Sequence, residues 1–411
     1  MKTTLLFACI IIVFSACTNQ EKDISKLKTI DIEGGMQNLT KLKASDFGKS
    51  IRYIPLETTD DCLIGNKPVV KVLKNHIVIE VNRRCLLFDK KNGSFISEIG
   101  HIGQDPEAYT SASSWTDEKE DYLYFNKMPD KMIKYGMNGV FAGKIDFPTP
   151  PGLASHYLLT ATEIVGYYNG INNSGNHTLT FFDNEGILKD SIPQLLTNLA
   201  ETVEDILDIS VTKGDSTYGN WSKTGAIIIN YKNDKRLIIA AEAATLWNNN
   251  GNIRFKENFI DTIYTICERK LIPDIAFNTG KWHWPESERM SKRNNGERIF
   301  ISDVSESNSF VFFQCINGLY TDEPILYNGL YNKKTGETKL SRYTDKIQDD
   351  LTGFMPFKPL SMSTSGEFVS LIEAIDIIEW TEEHPEAKNN SGLSFLKNFN
   401  DDMNPVIVLV E

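Results

Sequence analysis

Apolar and polar positions alternate over short runs along most of this chain. Segments rich in Val, Ile, Phe and Tyr are broken by turns of Asn, Asp, Gly and Lys. Lys71–Val81 (KVLKNHIVIEV), Asp121–Asn126 (DYLYFN), Ala226–Tyr231 (AIIINY), Arg236–Ala241 (RLIIAA) and Ser309–Ile316 (SFVFFQCI) are examples. Their length suits strands rather than helices. Three stretches repeat one plan of apolar strand, polar turn with glycine, and second strand. They are Cys85–Gly100, Met132–Phe147 and Leu179–Ile192. Their glycines, Gly93, Gly139 and Gly186, lie 46 and 47 residues apart. A fainter copy, Tyr331–Leu340, carries Gly336. Tight hairpins need a positive φ, which glycine adopts without steric cost.

An all-strand period in the forties predicts an all-β fold of four-stranded antiparallel propeller blades, and a repeat somewhat above fifty residues, to allow for insertions, gives six or seven of them; the expectation is a six-bladed β-propeller of four-stranded antiparallel blades. The blades are expected near residues 50–105, 106–150, 151–200, 205–275, 295–345 and 355–411, in one domain over 29–411. Thr29–Ile32 is expected to close the ring by adding a strand to the last blade. Two segments break the plan. Pro193–Ile209 has Leu195, Leu199, Val203 and Leu207 at helical spacing and predicts an amphipathic helix. Lys281–Glu297 is long, polar and broken by proline, so it predicts an exposed loop.

Four segments, in order, resemble the six-bladed β-propeller lipoproteins of Bacteroidetes: Ser50–Thr59 (SIRYIPLETT), Phe88–Tyr109 (FDKKNGSFISEIGHIGQDPEAY), Asn258–Cys267 (NFIDTIYTIC) and Asn404–Val410 (NPVIVLV). The hairpin also resembles an NHL repeat. The likeness implies the fold and an envelope location, and no particular reaction. The turn that reads GQGPGEY in that family is GQDPEAY here, at Gly103–Tyr109.

The first residues give the reading a location. Lys2 precedes the apolar run Leu5–Phe14, and Ser15 and Ala16 precede Cys17. The run is too short to span a bilayer, which needs about 20 residues. It reads as a bacterial lipoprotein leader, residues 1–16, with Cys17 as the lipidated residue. Phe14 stands where such leaders usually carry Leu. Residues 17–28 are polar and read as a tether. Several acyl chains on Cys17 would hold the body at an outer-membrane surface, facing the periplasm or the exterior, without a spanning helix.

The formal charge of −12 argues against nucleic acid, which requires a basic footprint. It also leaves the anchoring to lipid rather than to charge. Cys62, Cys85, Cys267 and Cys315 form no zinc-spaced cluster and are expected as small buried hydrophobes. A Cys62–Cys85 pair across neighbouring strands is the alternative. No HExxH, GxSxG or phosphate-binding glycine loop occurs, so neither a catalytic set nor a cofactor or metal is predicted.

The candidate binding residues are aromatic. Trp282, His283 and Trp284 lie in the long loop, and Trp115 and Tyr109 in an inter-blade connection. Such rings stack on sugars or fill protein pockets, and they equally wedge between blades as core. Ser191, Ser216 and Thr262 sit in Asp-Ser/Thr-x triplets that resemble O-glycosylation acceptors of this phylum. The function these observations favour is a non-catalytic binding or scaffold protein for a glycan or an envelope protein. The alternative is a hydrolase or lyase acting on a glycan or lactone at the channel mouth.

Overall fold

The computed structural model describes residues 27–411 apart from 169–176, 196–204, 213–225, 241–244, 258–259, 286–287, 289–296 and 320–322. Six antiparallel sheets are arranged as the blades of a propeller. Blades one to five span residues 69–98, 114–146, 156–193, 246–278 and 299–342. In each of these the strands follow chain order from the channel outward. The inner strands Val69–Val72, Ser114–Thr116, His156–Leu159, Leu246–Asn249, Ile299–Glu306 and Ser361–Met362 stand around the centre.

Blade six combines the two ends of the chain. Ser361–Met362, Phe368–Ile372 and Val406–Val410 are joined on the outside by Ile51–Pro55, with Ile51 opposite Val410. This closing strand ties the amino-terminal segment into the sheet built by the carboxy-terminal strands. The strand expected to close the ring lies elsewhere. Lys28–Asp31 runs parallel to the outer strand of blade four, from Lys28 opposite Ile275 to Asp31 opposite Asn278. Ile30 and Ile32 are fully buried there, and that burial decides the placement.

Every seam between blades holds an apolar cluster, and each strand serves two seams. In His76–Val81, Ile77, Ile79 and Val81 pack toward blade six, while Val78 packs toward blade two. A strand buried on both faces reads as a nearly unbroken apolar run. That is why the blades were legible as short apolar blocks rather than as strict alternation.

The expected fourth blade, 205–275, divides into two sheets. Ile206–Thr212, Ala226–Tyr231 and Arg236–Ala240 form a separate three-stranded sheet. It is inserted between blades three and four, whose inner strands touch each other directly. Leu207 belongs to its first strand and is 61% exposed, so the C-terminal part of the expected helix is a strand edge. The expected helical residues 196–204 lie outside the described residues. Blade six carries a helical insert between its second and third strands, with a helix at Ala374–Glu383. Ala374, Ile377 and Thr381 face inward, and Trp380 meets Phe354 edge-on at 4.8 Å.

The repeat glycines occupy the hairpin between the third and outer strands of their blades. Gly93 and Gly336 both have φ +76°. At Gly93 a Cβ would collide with the Pro55 carbonyl of the closing strand, whereas at Gly336 it would meet nothing. Gly336→Ala should therefore cost only the left-handed backbone strain, about 1 kcal/mol. Gly93→Ala should cost about 2–3 kcal/mol, because the closing strand must also shift. Urea unfolding of the two variants separates these terms, and equal losses would refute the packing argument.

Candidate functional site

The inner strands enclose a channel cavity of about 1250 Å³. All six blades line it, and five contribute the turn that joins their first two strands. At this end the wall offers Lys74, Lys119, Asn250, Asn308 and Ser365. Glu373 and Asp376, at the start of the blade-six helix, also border the cavity. Burial, and next the Asp376 charge, holds the Glu373 carboxyl above its ordinary range.

Trp247, on the inner strand of blade four, is the aromatic side chain of this wall. Its indole N–H donates to Glu306 Oε2 of blade five at 2.8 Å. Glu306 is itself fixed by Arg254, at 2.9 Å from Nε, and by Lys333 Nζ at 2.7 Å. Asp274 takes the other side of Arg254 at 2.7 Å. Burial drives the Glu306 carboxyl upward, but the Arg254 and Lys333 charges outweigh it and hold the group below its ordinary range. The cluster pins the indole edge across the seam between blades four and five.

Other seams carry similar polar pins. Glu80 accepts from the Ser114 N–H at 2.7 Å and from its hydroxyl at 2.6 Å, and pairs with Lys71. Lys90 pairs with Glu367 between blades one and six. His156, on the inner strand of blade three, accepts from the Trp115 indole at 3.5 Å. Burial and then the Lys71 charge push this imidazole down to about 4, so it is neutral and structural at physiological pH.

The aromatic residues singled out from sequence are not gathered at one site. Tyr109 is fully buried, stacks on Phe125 at 4.3 Å and donates its hydroxyl to the Ile99 carbonyl at 2.9 Å. Trp115 packs edge-on against Tyr157 at 5.1 Å, in the seam between blades two and three. Of the loop trio, Trp284 is 2% exposed, Trp282 is half-buried against the seam between blades four and five, and His283 is exposed. The loop therefore turns one tryptophan inward. Ser191 and Thr262 are half-buried in strands, while Ser216 and Cys17 lie outside the described residues. Cys62, Cys85, Cys267 and Cys315 are free thiols, all buried except the half-buried Cys267. Among the described residues no group of three or more His, Cys, Asp or Glu is placed to hold a metal ion. Trp247 escaped the sequence reading because its signal, a tryptophan beside three asparagines, looked like any strand ending in a turn.

The model of the family described as a domain of unknown function, DUF4934, matches residues 27–411. The chain belongs to this DUF4934 family. The DUF4934 chain is also similar to a crystal structure of a candidate exported protein from Bacteroides fragilis. The two share 16% identity at a TM-score of 0.62, over 94% of this chain and 99% of that one. That likeness is one of fold. The WD40 repeats of RRP9 align at 9% identity and a TM-score of 0.39, over 91% of this chain and 99% of theirs. The comparison with curated proteins finds no match.

Proposed function

We propose that this DUF4934 protein is a lipid-anchored binding protein of the bacterial cell envelope. In this reading Cys17 carries the lipid, and the propeller presents its channel to a glycan or an envelope protein. The observation that carries the reading is the channel itself, a cavity of about 1250 Å³ walled by all six blades. Rigid blades that hold polar turns around a concavity are the usual design of a binding site. The leader sequence, and the description of the B. fragilis relative as exported, support the envelope location. No helix among the described residues is long and apolar enough to cross a membrane.

Blocking the channel tests this reading. Asn308→Trp with Ser365→Trp fills the turn end of the channel, while Trp282→Ala alters the outer loop. Immobilised protein is challenged with envelope polysaccharides and envelope extract. The blocked variant should bind at least tenfold more weakly and Trp282→Ala as well as wild type. The reverse outcome would move the site to the loop.

One observation favours a hydrolase or lyase as a second reading. Glu373 and Asp376 are two carboxyls on the channel wall, one of them held protonated at higher pH than usual. Cleavage of a bound glycan, abolished by Glu373→Gln, would establish that reading.

A further inference from the structure

We infer that the turn end of the channel binds a neutral, hydroxyl-rich oligosaccharide stacked on Trp247. The inference rests on the channel being the binding site and adds the ligand class and the residues that read it. Trp247 borders the cavity while its indole N–H is already spent on Glu306 at 2.8 Å. What it offers the channel is therefore the apolar ring, held in one orientation by a buried ion cluster. A fixed aromatic face suits the C–H face of a pyranose and costs little ordering on binding.

The polar groups around the opening complete the match. Asn250, Asn308 and Ser365 are exposed amides and a hydroxyl on three different turns. Amides and hydroxyls donate and accept, as sugar hydroxyls do. Ser361 is a separate sign of a missing partner. It lines the channel on the inner strand of blade six, and among the described residues its buried hydroxyl has no hydrogen-bond partner. A buried hydroxyl left open toward a cavity calls for a ligand or water.

Charge decides between neutral and acidic sugars. Lys74 and Lys119 border the same opening as Asp117, Glu118 and Glu120. The Glu118 carboxylate accepts from the Ala161 N–H at 3.0 Å and the Glu120 carboxylate from the Lys74 N–H at 2.8 Å. No excess of positive charge remains to attract a uronate or sulfate, so the neutral chain is favoured.

Isothermal titration calorimetry of the full chain tests this with hexasaccharides of xylan, mannan and β-glucan against oligogalacturonate. At least one neutral oligosaccharide should bind, and oligogalacturonate should bind at least tenfold more weakly. Trp247→Ala should weaken binding at least tenfold. Trp247→Phe, which keeps a smaller aromatic face and loses the N–H, should stay within about threefold. Ser361→Ala and Asn308→Ala should each weaken it about threefold to tenfold. Should Trp247→Ala fail to fold, Trp247→Phe, Ser361→Ala and Asn308→Ala carry the test. A preference for oligogalacturonate, or full binding by Trp247→Ala, overturns the inference. If none of these sugars binds yet the Asn308→Trp/Ser365→Trp block still abolishes partner capture, the channel reading stands and the sugar inference falls. If the block has no effect on capture, the channel reading itself falls.

Discussion

Alanine at Glu306 should destabilise the propeller by about 3–5 kcal/mol, among the largest losses any single surface-neutral substitution could produce here. The side chain is 1% exposed and answers the Arg254 guanidinium, 3% exposed, and the Lys333 ammonium, 12% exposed. Removing the carboxylate leaves both cations buried against each other. Lys333 is already pulled down by burial and by Arg254, with Glu306 as the opposing support. Three variants separate the pair energy from the orphaned charge. Glu306→Ala alone leaves buried charge and should lose most. Lys333→Met should lose about 1–2 kcal/mol, because Arg254 still pairs with Glu306. Arg254→Met and Lys333→Met together with Glu306→Leu should recover much of the loss, since a buried charged group replaced whole by apolar side chains is often near neutral. Urea unfolding measures all three, and a Glu306→Ala loss below 1 kcal/mol would show that water reaches the cluster.

The same substitution links stability to recognition. Glu306 positions Trp247, so Glu306→Ala frees the indole that the channel presents. The acid dependence has a definite sign. The Glu306 carboxyl is held below its ordinary range, so its contribution is present above the unfolded value, about 4.3, and is lost as the pH falls through the lower folded value.

The legibility of this chain followed from how blades bury their strands. Gly93, Gly139 and Gly186 betrayed the hairpins because positive φ is a local demand that leaves a mark on sequence. The blade count needed a longer repeat that allows for insertions, which gives six or seven. The errors came where a tertiary contact chose between equal local options. Thr29–Ile32 and Ile51–Pro55 are both short β-formers at the amino end, and only packing tells which closes the ring. Val203 and Leu207 repeat at helical spacing, yet Leu207 lies in a strand whose ladder is supplied by residues 226–231, some twenty positions on. The helix at Ala374–Glu383 was hidden inside a segment read as blade, since Ile377 and Ile378 fit either period. The site was less legible than the fold. Channel walls draw a few residues from each blade, so Trp247, Ser361 and Asn308 share no motif in sequence. Aromatic residues were visible but their burial was not, which is why Tyr109 and Trp284 turn out to be core.

The propeller should also lose stability as the pH rises from about 4.5 to 7, through a second buried carboxyl of opposite behaviour. Glu257, 5% exposed, follows the second strand of blade four and meets Tyr167 of blade three. Burial raises its carboxyl to about 7, against smaller downward pulls from the Tyr167 hydroxyl and the Lys256 charge. Its Oε2 has no hydrogen-bond partner among the described residues, whereas Glu306 has two cations. The tyrosine answers in kind, since burial and then the Glu257 charge push the Tyr167 hydroxyl upward. The unfolded chain gives up this proton near pH 4.3 and the folded one near 7, so the folded state binds more protons in between. The stabilisation is complete below the unfolded value and gone above the folded one, a change of about 4 kcal/mol. Glu257→Gln stays neutral at every pH and keeps the shape, so it should flatten this slope and leave the variant more stable than wild type at pH 8. Urea unfolding between pH 4.5 and 8 reads the difference directly. A wild-type stability that is level over that range, or a Glu257→Gln variant that keeps the slope, would mean the carboxyl is ionised in the fold and has found a partner across the seam.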